Sequence, residues 1–182
     1  IYGYSKQLFD LWALQTGAAK KITGFKFFNV FGPNEYHKDQ MRSVVLKAFE
    51  QITQTGKVQL FKSYRSDYKN GMQSRDFVYV KDCIDLLWWA IQKGNVHGIF
   101  NLGSGHTRTW KDLATAVFTA MGKEPLIEFI DMPEVQRPRY QYFTEAKMEK
   151  VYAVGCDVKF RSLEQGVTDY VQQYLLKPDR YL

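Results

Sequence analysis

The sequence predicts an α/β fold, the end of a doubly wound parallel sheet followed by a small α/β cap. Three observations predict it. Apolar residues recur at helical spacing in Tyr4, Leu8, Leu11 and Trp12. A nearly unbroken β-branched and aromatic run follows from Ile22 to Val30. Helix and strand patterns then alternate along most of the chain. The 182 residues are 45% hydrophobic and 16% aromatic, enough apolar mass for one sizeable core. Alternation is regular as far as Gly32 and gives way to shorter mixed elements beyond. The chain therefore divides into residues 1–33, the tail of the wound sheet, and 34–182, mainly the cap.

The first helix puts Tyr4, Leu8, Leu11 and Trp12 on one face, and Gly17 ends it. Ile22 to Val30 lacks polar alternation, as expected of a strand buried on both faces of a parallel sheet, and Phe31-Gly32-Pro33 stops it. Met41 to Thr55 reads as a second helix, Val58 to Phe61 as a short strand and Lys62 to Ser74 as an exposed polar loop. Arg75 to Val80 reads as another short strand. Lys81 to Lys93 follows as a helix with Trp88 and Trp89 turned inward, and Arg75–Lys93 is placed to pack back on the wound sheet. Ile99 to Leu102 is a strand, Gly103-Ser104-Gly105 a turn, and Thr109-x-x-Asp112 a capping box that opens a helix. Leu126 to Ile130 is a strand and Asp131 to Arg139 a Pro- and charge-rich loop. A helix is expected from about Thr144, and Ser162-x-x-Gln165 opens a last one to about Leu176.

A net charge of +6 suits an anionic small molecule or a nucleic acid. The lysines are scattered, however, and none of their runs interleaves with aromatics, which argues against nucleic acid. Cys83 and Cys156 lie far apart without CxxC or Cys/His spacing, against both a disulfide framework and a zinc site and in keeping with a reducing cytoplasm. No apolar run has the ~18 residues that span a bilayer. The first residue, Ile1, falls inside a helical pattern, so a piece of a longer protein is expected.

Tyr2 and Lys6, four apart on one helix face, are candidates for proton transfer, because the ammonium favours the phenolate. Chance supplies about one such pair in a chain with 12 tyrosines, and a surface pair is the alternative. Gly103-Ser104-Gly105 lacks the three spaced glycines of a dinucleotide loop and reads as a tight turn. His37, His97 and His106 have neither metal-ligand spacing nor a nucleophile partner; His37 and its neighbours lie where open α/β sheets place ligands. Arg75 suits bidentate contact with a phosphate, or a neighbourhood pair with Asp76. Tyr140, after Arg137-Pro138-Arg139, could close over a diphosphate or pack on the surface.

Taken in order, Tyr2-Gly3-Tyr4-Ser5-Lys6, Phe27-Phe28-Asn29-Val30-Phe31-Gly32-Pro33, Arg75-Asp76-Phe77-Val78-Tyr79-Val80, Gly98 to Gly103 and Arg139-Tyr140-Gln141 resemble the extended short-chain dehydrogenase/reductase family. The first three blocks mark its sugar-nucleotide epimerases and dehydratases. His37-Lys38, Arg139-Tyr140-Gln141 and Gly166 to Tyr170 resemble the branch that inverts C6 of an ADP-linked glycero-manno-heptose for lipopolysaccharide core assembly.

The resemblance implies a Rossmann-like dinucleotide-binding domain, with residues 1–33 as its tail, and a substrate-binding cap over 34–182. It implies hydride removal from C6 to bound NADP, with NAD as the alternative, and return of the hydride to the other face. Tyr2 and Lys38 would exchange protons on opposite sides, while Lys6 holds the nicotinamide ribose. Val30 and Lys38 would lie at the cofactor, and Asn29, Gln40, Lys47, Phe61, Arg75 and Tyr140 at the nucleotide-diphosphate sugar. Gln40 and Lys47 stand where the family carries Ser and His, and Lys62 to Ser74 is longer than the family's loop.

A homo-oligomer is expected, with neither membrane nor nucleic acid as partner. The glycine-rich loop is expected upstream of Tyr2, so these residues alone should bind NADP poorly and not turn over. The edge of Ile22 to Val30 should drive self-association. Two rivals remain: a 4-epimerase or dehydratase of another nucleotide sugar, and a non-catalytic dinucleotide-sensing protein on the same scaffold.

Overall fold

The computed structural model describes residues 1–181. Helix α1 (Tyr2–Gln15) leads through a 3-10 turn at Ala18–Lys20 into β1 (Thr23–Phe27) and β2 (Asn29–Phe31). A 3-10 segment, Tyr36–Met41, precedes α2 (Val44–Thr55), followed by β3 (Val58–Phe61), β4 (Ser74–Tyr79) and α3 (Val80–Lys93). Next come β5 (Gly98–Leu102), β6 (Thr107–Thr109), α4 (Trp110–Ala120) and β7 (Ile127–Ile130). A 3-10 turn at Arg137–Arg139 and helices α5 (Glu149–Ala153) and α6 (Leu163–Tyr170) complete the order, with one π turn at Val171–Leu175.

The strands form parallel pairs β1–β5, β2–β4 and β3–β7, with short antiparallel β6 added to β4. Strand β4 is buried along its whole length and separates two cores by simple alternation. Phe77 and Tyr79 face a core built from α2, β3, α4 and α6, whereas Val78 faces one built from α3, β5, Ala146, Met148 and Val151. Helix α3 thus packs with β5, the strand that pairs with β1.

Both expected capping boxes form, Thr109 with Asp112 and Ser162 with Gln165. Beyond β2, Gly32 takes φ +149°, and a Cβ there would meet Val80 Cγ1 at 2.3 Å. Only glycine lets the chain leave the strand so close to α3.

Several expectations are corrected. The run Ile22 to Val30 is two strands broken at Phe28, and β1 is not buried on both faces: Thr23, Lys26 and Phe27 are exposed. Its one paired neighbour among the described residues is β5, which leaves the rest of the strand uncovered. The apolar face of α1 is likewise exposed, Ala13 being its one buried residue. Trp88 is exposed, because the buried stripe of α3 is set by Cys83, Leu86 and Ala90, and two positions past Leu86 points to the opposite side. Trp89 is partly buried against the second core. Helix α2 starts at Val44 because Ser43 caps it, accepting from Leu46 N, and Met41 lies outside. The helix expected from Thr144 begins at Glu149, and strand β6 has too short a signal to stand out in sequence.

Candidate active site

On α1 the Lys6 ammonium lies 4.8 Å from the centre of the Tyr2 ring, as expected of residues four apart on a helix. Tyr2 is 78% exposed. It borders an open groove of about 700 Å³ between α1 and β1, lined also by Ser5, Lys6, Phe27 and Phe28. Asn29 is exposed at the start of β2, opposite Phe77 of β4. The Val30 side chain packs against the second core, so its backbone is what a ligand could meet.

Lys38 and Gln40 ride on the 3-10 segment after β2, both exposed. Lys47, on α2, donates to the Gln40 carbonyl at 2.6 Å. Lys38 lines neither the groove nor the cavity described next.

A cavity of about 390 Å³ lies where α2, β3 and β7 meet the start of α4. Lys47, Phe61 and Tyr140, three residues singled out in sequence, line it together with Trp110. Arg75 stands behind this wall, with its guanidinium 5.5 Å from the Tyr140 ring centre and 5.7 Å from that of Trp110. Though only 7% exposed, Arg75 has no acidic partner among the described residues; it donates to the carbonyls of Ser74 and Gln141. Burial pulls its guanidinium down from the usual arginine range, and burial pushes the Tyr140 phenol up against the opposing pull of Arg75. A cation held out of water without a counter-charge rewards an anion, and a guanidinium fork suits phosphate.

Arg75 does not pair with its neighbour Asp76. Asp76, fully buried, accepts from Ser104 N and Oγ, Gly105 N and Ala146 N at 2.7–3.0 Å. The Ser104 and Gly105 amides of the turn are therefore occupied by a carboxyl of the protein, in agreement with a tight turn. A Cβ on Gly103 would meet Asp76 Oδ2 at 2.8 Å.

Sequence reasoning missed Trp110, whose signal was its place directly after the Thr109 cap. It also missed Asp76 as an anchor, although a carboxyl inside an apolar strand was the clue, and Glu35, a buried carboxyl beside the Lys38 segment. Among the described residues no cluster of metal-ligating side chains occurs, and no helix is long and apolar enough to cross a membrane.

The model of the NAD dependent epimerase/dehydratase family matches residues 1–103. Over all 182 residues the chain is 58% identical to the ADP-L-glycero-D-manno-heptose-6-epimerase of Nitratidesulfovibrio vulgaris strain DP4, of which it covers 56%. Among solved structures it is similar to the Helicobacter pylori ADP-L-glycero-D-manno-heptose-6-epimerase, with TM-score 0.77, 27% identity, and coverage of 94% of this chain and 50% of that one. It is also similar to the Thermus thermophilus UDP-glucose 4-epimerase in complex with NAD, with TM-score 0.72, 25% identity, and coverage of 94% and 52%. The chain spans about half the length of the curated relatives it matches.

Proposed function

Because this chain belongs to the NAD dependent epimerase/dehydratase family, we propose that the protein carrying it inverts C6 of an ADP-linked glycero-manno-heptose, a precursor of lipopolysaccharide core. The observation that carries this reading is the meeting of Lys47, Phe61 and Tyr140 on one cavity with Arg75 directly behind the Tyr140 ring, although the four are scattered from α2 to the loop after β7. An aromatic-walled cavity backed by an unpaired buried cation suits a nucleotide diphosphate.

Inverting a carbinol needs a proton acceptor on each side of the carbon. Tyr2 serves one face, with Lys6 holding the nicotinamide ribose, and Lys38 serves the other. Asn29, Gln40, Lys47, Phe61, Arg75 and Tyr140 bind the sugar nucleotide, while Lys6, Val30 and Lys38 meet the cofactor. The groove beside Tyr2, with the Ser5 hydroxyl, the Lys6 ammonium and the Phe27 and Phe28 rings, fits the nicotinamide-ribose end of a dinucleotide. The Ser104 and Gly105 amides, bound to Asp76, are not the groups that hold its phosphates. When bound, the dinucleotide supplies the hydride acceptor.

The reading takes NADP as cofactor, with NAD as the alternative, and a homo-oligomer in the cytoplasm, where free Cys83 and Cys156 remain reduced. Residues 1–33 are then the tail of the dinucleotide domain and 34–182 mainly the substrate cap, with Arg75–Lys93 packing back toward β5 and β1. The likeness to a UDP-glucose 4-epimerase favours 4-epimerisation of another nucleotide sugar as the second reading.

The test incubates the full-length gene product with NADP and ADP-D-glycero-D-manno-heptose and follows the sugar protons by NMR. Appearance of the L-glycero isomer is expected. Interconversion of UDP-glucose and UDP-galactose instead would move the assignment to the second reading, and turnover of neither would overturn both.

A further inference from the structure

We propose that Glu35 is a positioning residue for Lys38, its carboxyl holding shut the base of the loop that carries that amine. This rests on the reading of Lys38 as a proton-transfer group.

Glu35 is only 5% exposed and has no Lys or Arg partner among the described residues, a costly placement for a carboxyl. Both of its oxygens accept hydrogen bonds instead: Ser43 N and Ser43 Oγ donate to it at 2.6 Å, and the Tyr170 hydroxyl at 3.1 Å. Glu35 and Ser43 are the two ends of the segment bearing Lys38 and Gln40, so these bonds close a loop. Tyr170, fully buried on α6, ties that closure to the first core. Burial and the Glu35 charge push the Tyr170 phenol up, which keeps it a neutral donor.

A purely local purpose does not explain the arrangement. Ser43 Oγ already caps α2 by accepting from Leu46 N at 3.3 Å, and that cap needs no carboxyl. The loop itself shows what closure restrains. Asp39, next to Lys38, has φ 44° and ψ −117°, outside the favoured regions for a residue with a Cβ. Such a backbone persists where its surroundings over-determine it. Asp39 O accepts from Arg42 Nε at 2.7 Å, and Arg42 pairs with Glu50 at 2.6 Å. On the other flank the Tyr36 hydroxyl donates to Arg180 O at 2.6 Å, and Tyr181 packs edge-on against the Tyr36 ring. Both ends and both flanks are held while Lys38 itself stays exposed, the arrangement needed to aim a free amine.

The experiment compares Glu35→Gln, Tyr170→Phe and Lys38→Ala in the full-length protein, reading kcat, KM for the nucleotide sugar and thermal midpoint. Misplacing a reacting group by about 1 Å costs up to about 100-fold, so Glu35→Gln should lower kcat about 30-fold with KM within about threefold. Tyr170→Phe, which removes one of the three donors and little shape, should lower kcat about fivefold and the midpoint by several degrees while the protein stays folded at the assay temperature, and it carries the test if Glu35→Gln does not fold. Wild-type kcat in Glu35→Gln beside an inactive Lys38→Ala would overturn the positioning role alone. An active Lys38→Ala would overturn it together with the reading it rests on. A fall in kcat matched in both Glu35→Gln and Tyr170→Phe by an equal fall in folded fraction would reduce Glu35 to a structural residue and overturn the proposal.

Discussion

The two halves of the candidate site are built in opposite ways. Tyr2 opens onto a groove between α1 and β1, whereas Arg75 is 7% exposed behind the ring wall of a cavity lined by the first core. The difference separates two tasks. A group that passes a proton must be reachable, and its removal should cost rate and not fold. A cation that binds an anion gains from lying out of water, where its field is least screened, and the surrounding structure must bear the cost of burying it.

Tyr2→Phe in the full-length protein is the sharpest way to break this comparison. Loss of a general acid/base costs about 10²- to 10⁴-fold, so kcat should fall by that much. Because the substitution removes one hydroxyl and almost no volume, stability should change by no more than about 1 kcal/mol. Steady-state rates with a thermal melt check both. A variant that melts early while keeping its rate would invert the roles assigned to the two regions.

The next effect falls on the supporting structure behind Arg75. Asp76→Asn replaces one accepting oxygen by a donor that cannot receive the amides now bound there, leaving one or two of the Ser104, Gly105 and Ala146 N–H groups unpaired and buried. The expected cost is about 2–4 kcal/mol, measured as a lower denaturant midpoint. Binding of a nucleotide diphosphate should weaken in parallel, because Arg75 is carried on the same strand. A stable variant with intact binding would show that the wall does not depend on this anchor.

What the sequence reveals follows the same division. Spacing alone places Lys6 on the Tyr2 face, and both capping boxes form because a Ser or Thr three residues before Gln or Asp is a local device. Lys47, Phe61, Arg75 and Tyr140 were reachable through family resemblance, but their meeting was not, since contacts between residues far apart in the chain leave no periodic trace. The misreading of Trp88 has a related cause: an apolar run marks a helix clearly, but its inward side is decided by Cys83, Leu86 and Ala90 packing on β5. Glu35 and Asp76 stay hidden because a carboxyl in sequence reads as solvated, and only the fold shows which amides surround it.

The smallest effect concerns the rim of the buried region. Arg108 on β6 lies directly opposite Arg75 in the β4–β6 ladder, a like-charge pairing that would be unfavourable unless neutralised. Glu164 neutralises it with two bonds, at 2.6 and 3.2 Å, and the Arg108 hydrogen bond holds the Glu164 carboxyl down at about 2. A carboxyl lowered in the folded state gives stability that is complete above its ordinary value of 4.5 and is lost as pH falls from there toward about 2. Its side chain is 52% exposed, so solvent screening reduces the contribution to about 0.3–1 kcal/mol. Unfolding free energy measured between pH 5 and 2 should therefore decline less steeply in Glu164→Gln by that amount, and the gap should narrow in 0.5 M salt. A gap of several kcal/mol, insensitive to salt, would mean that this exposed pair, and not the buried bonds of Asp76, keeps Arg75 in place.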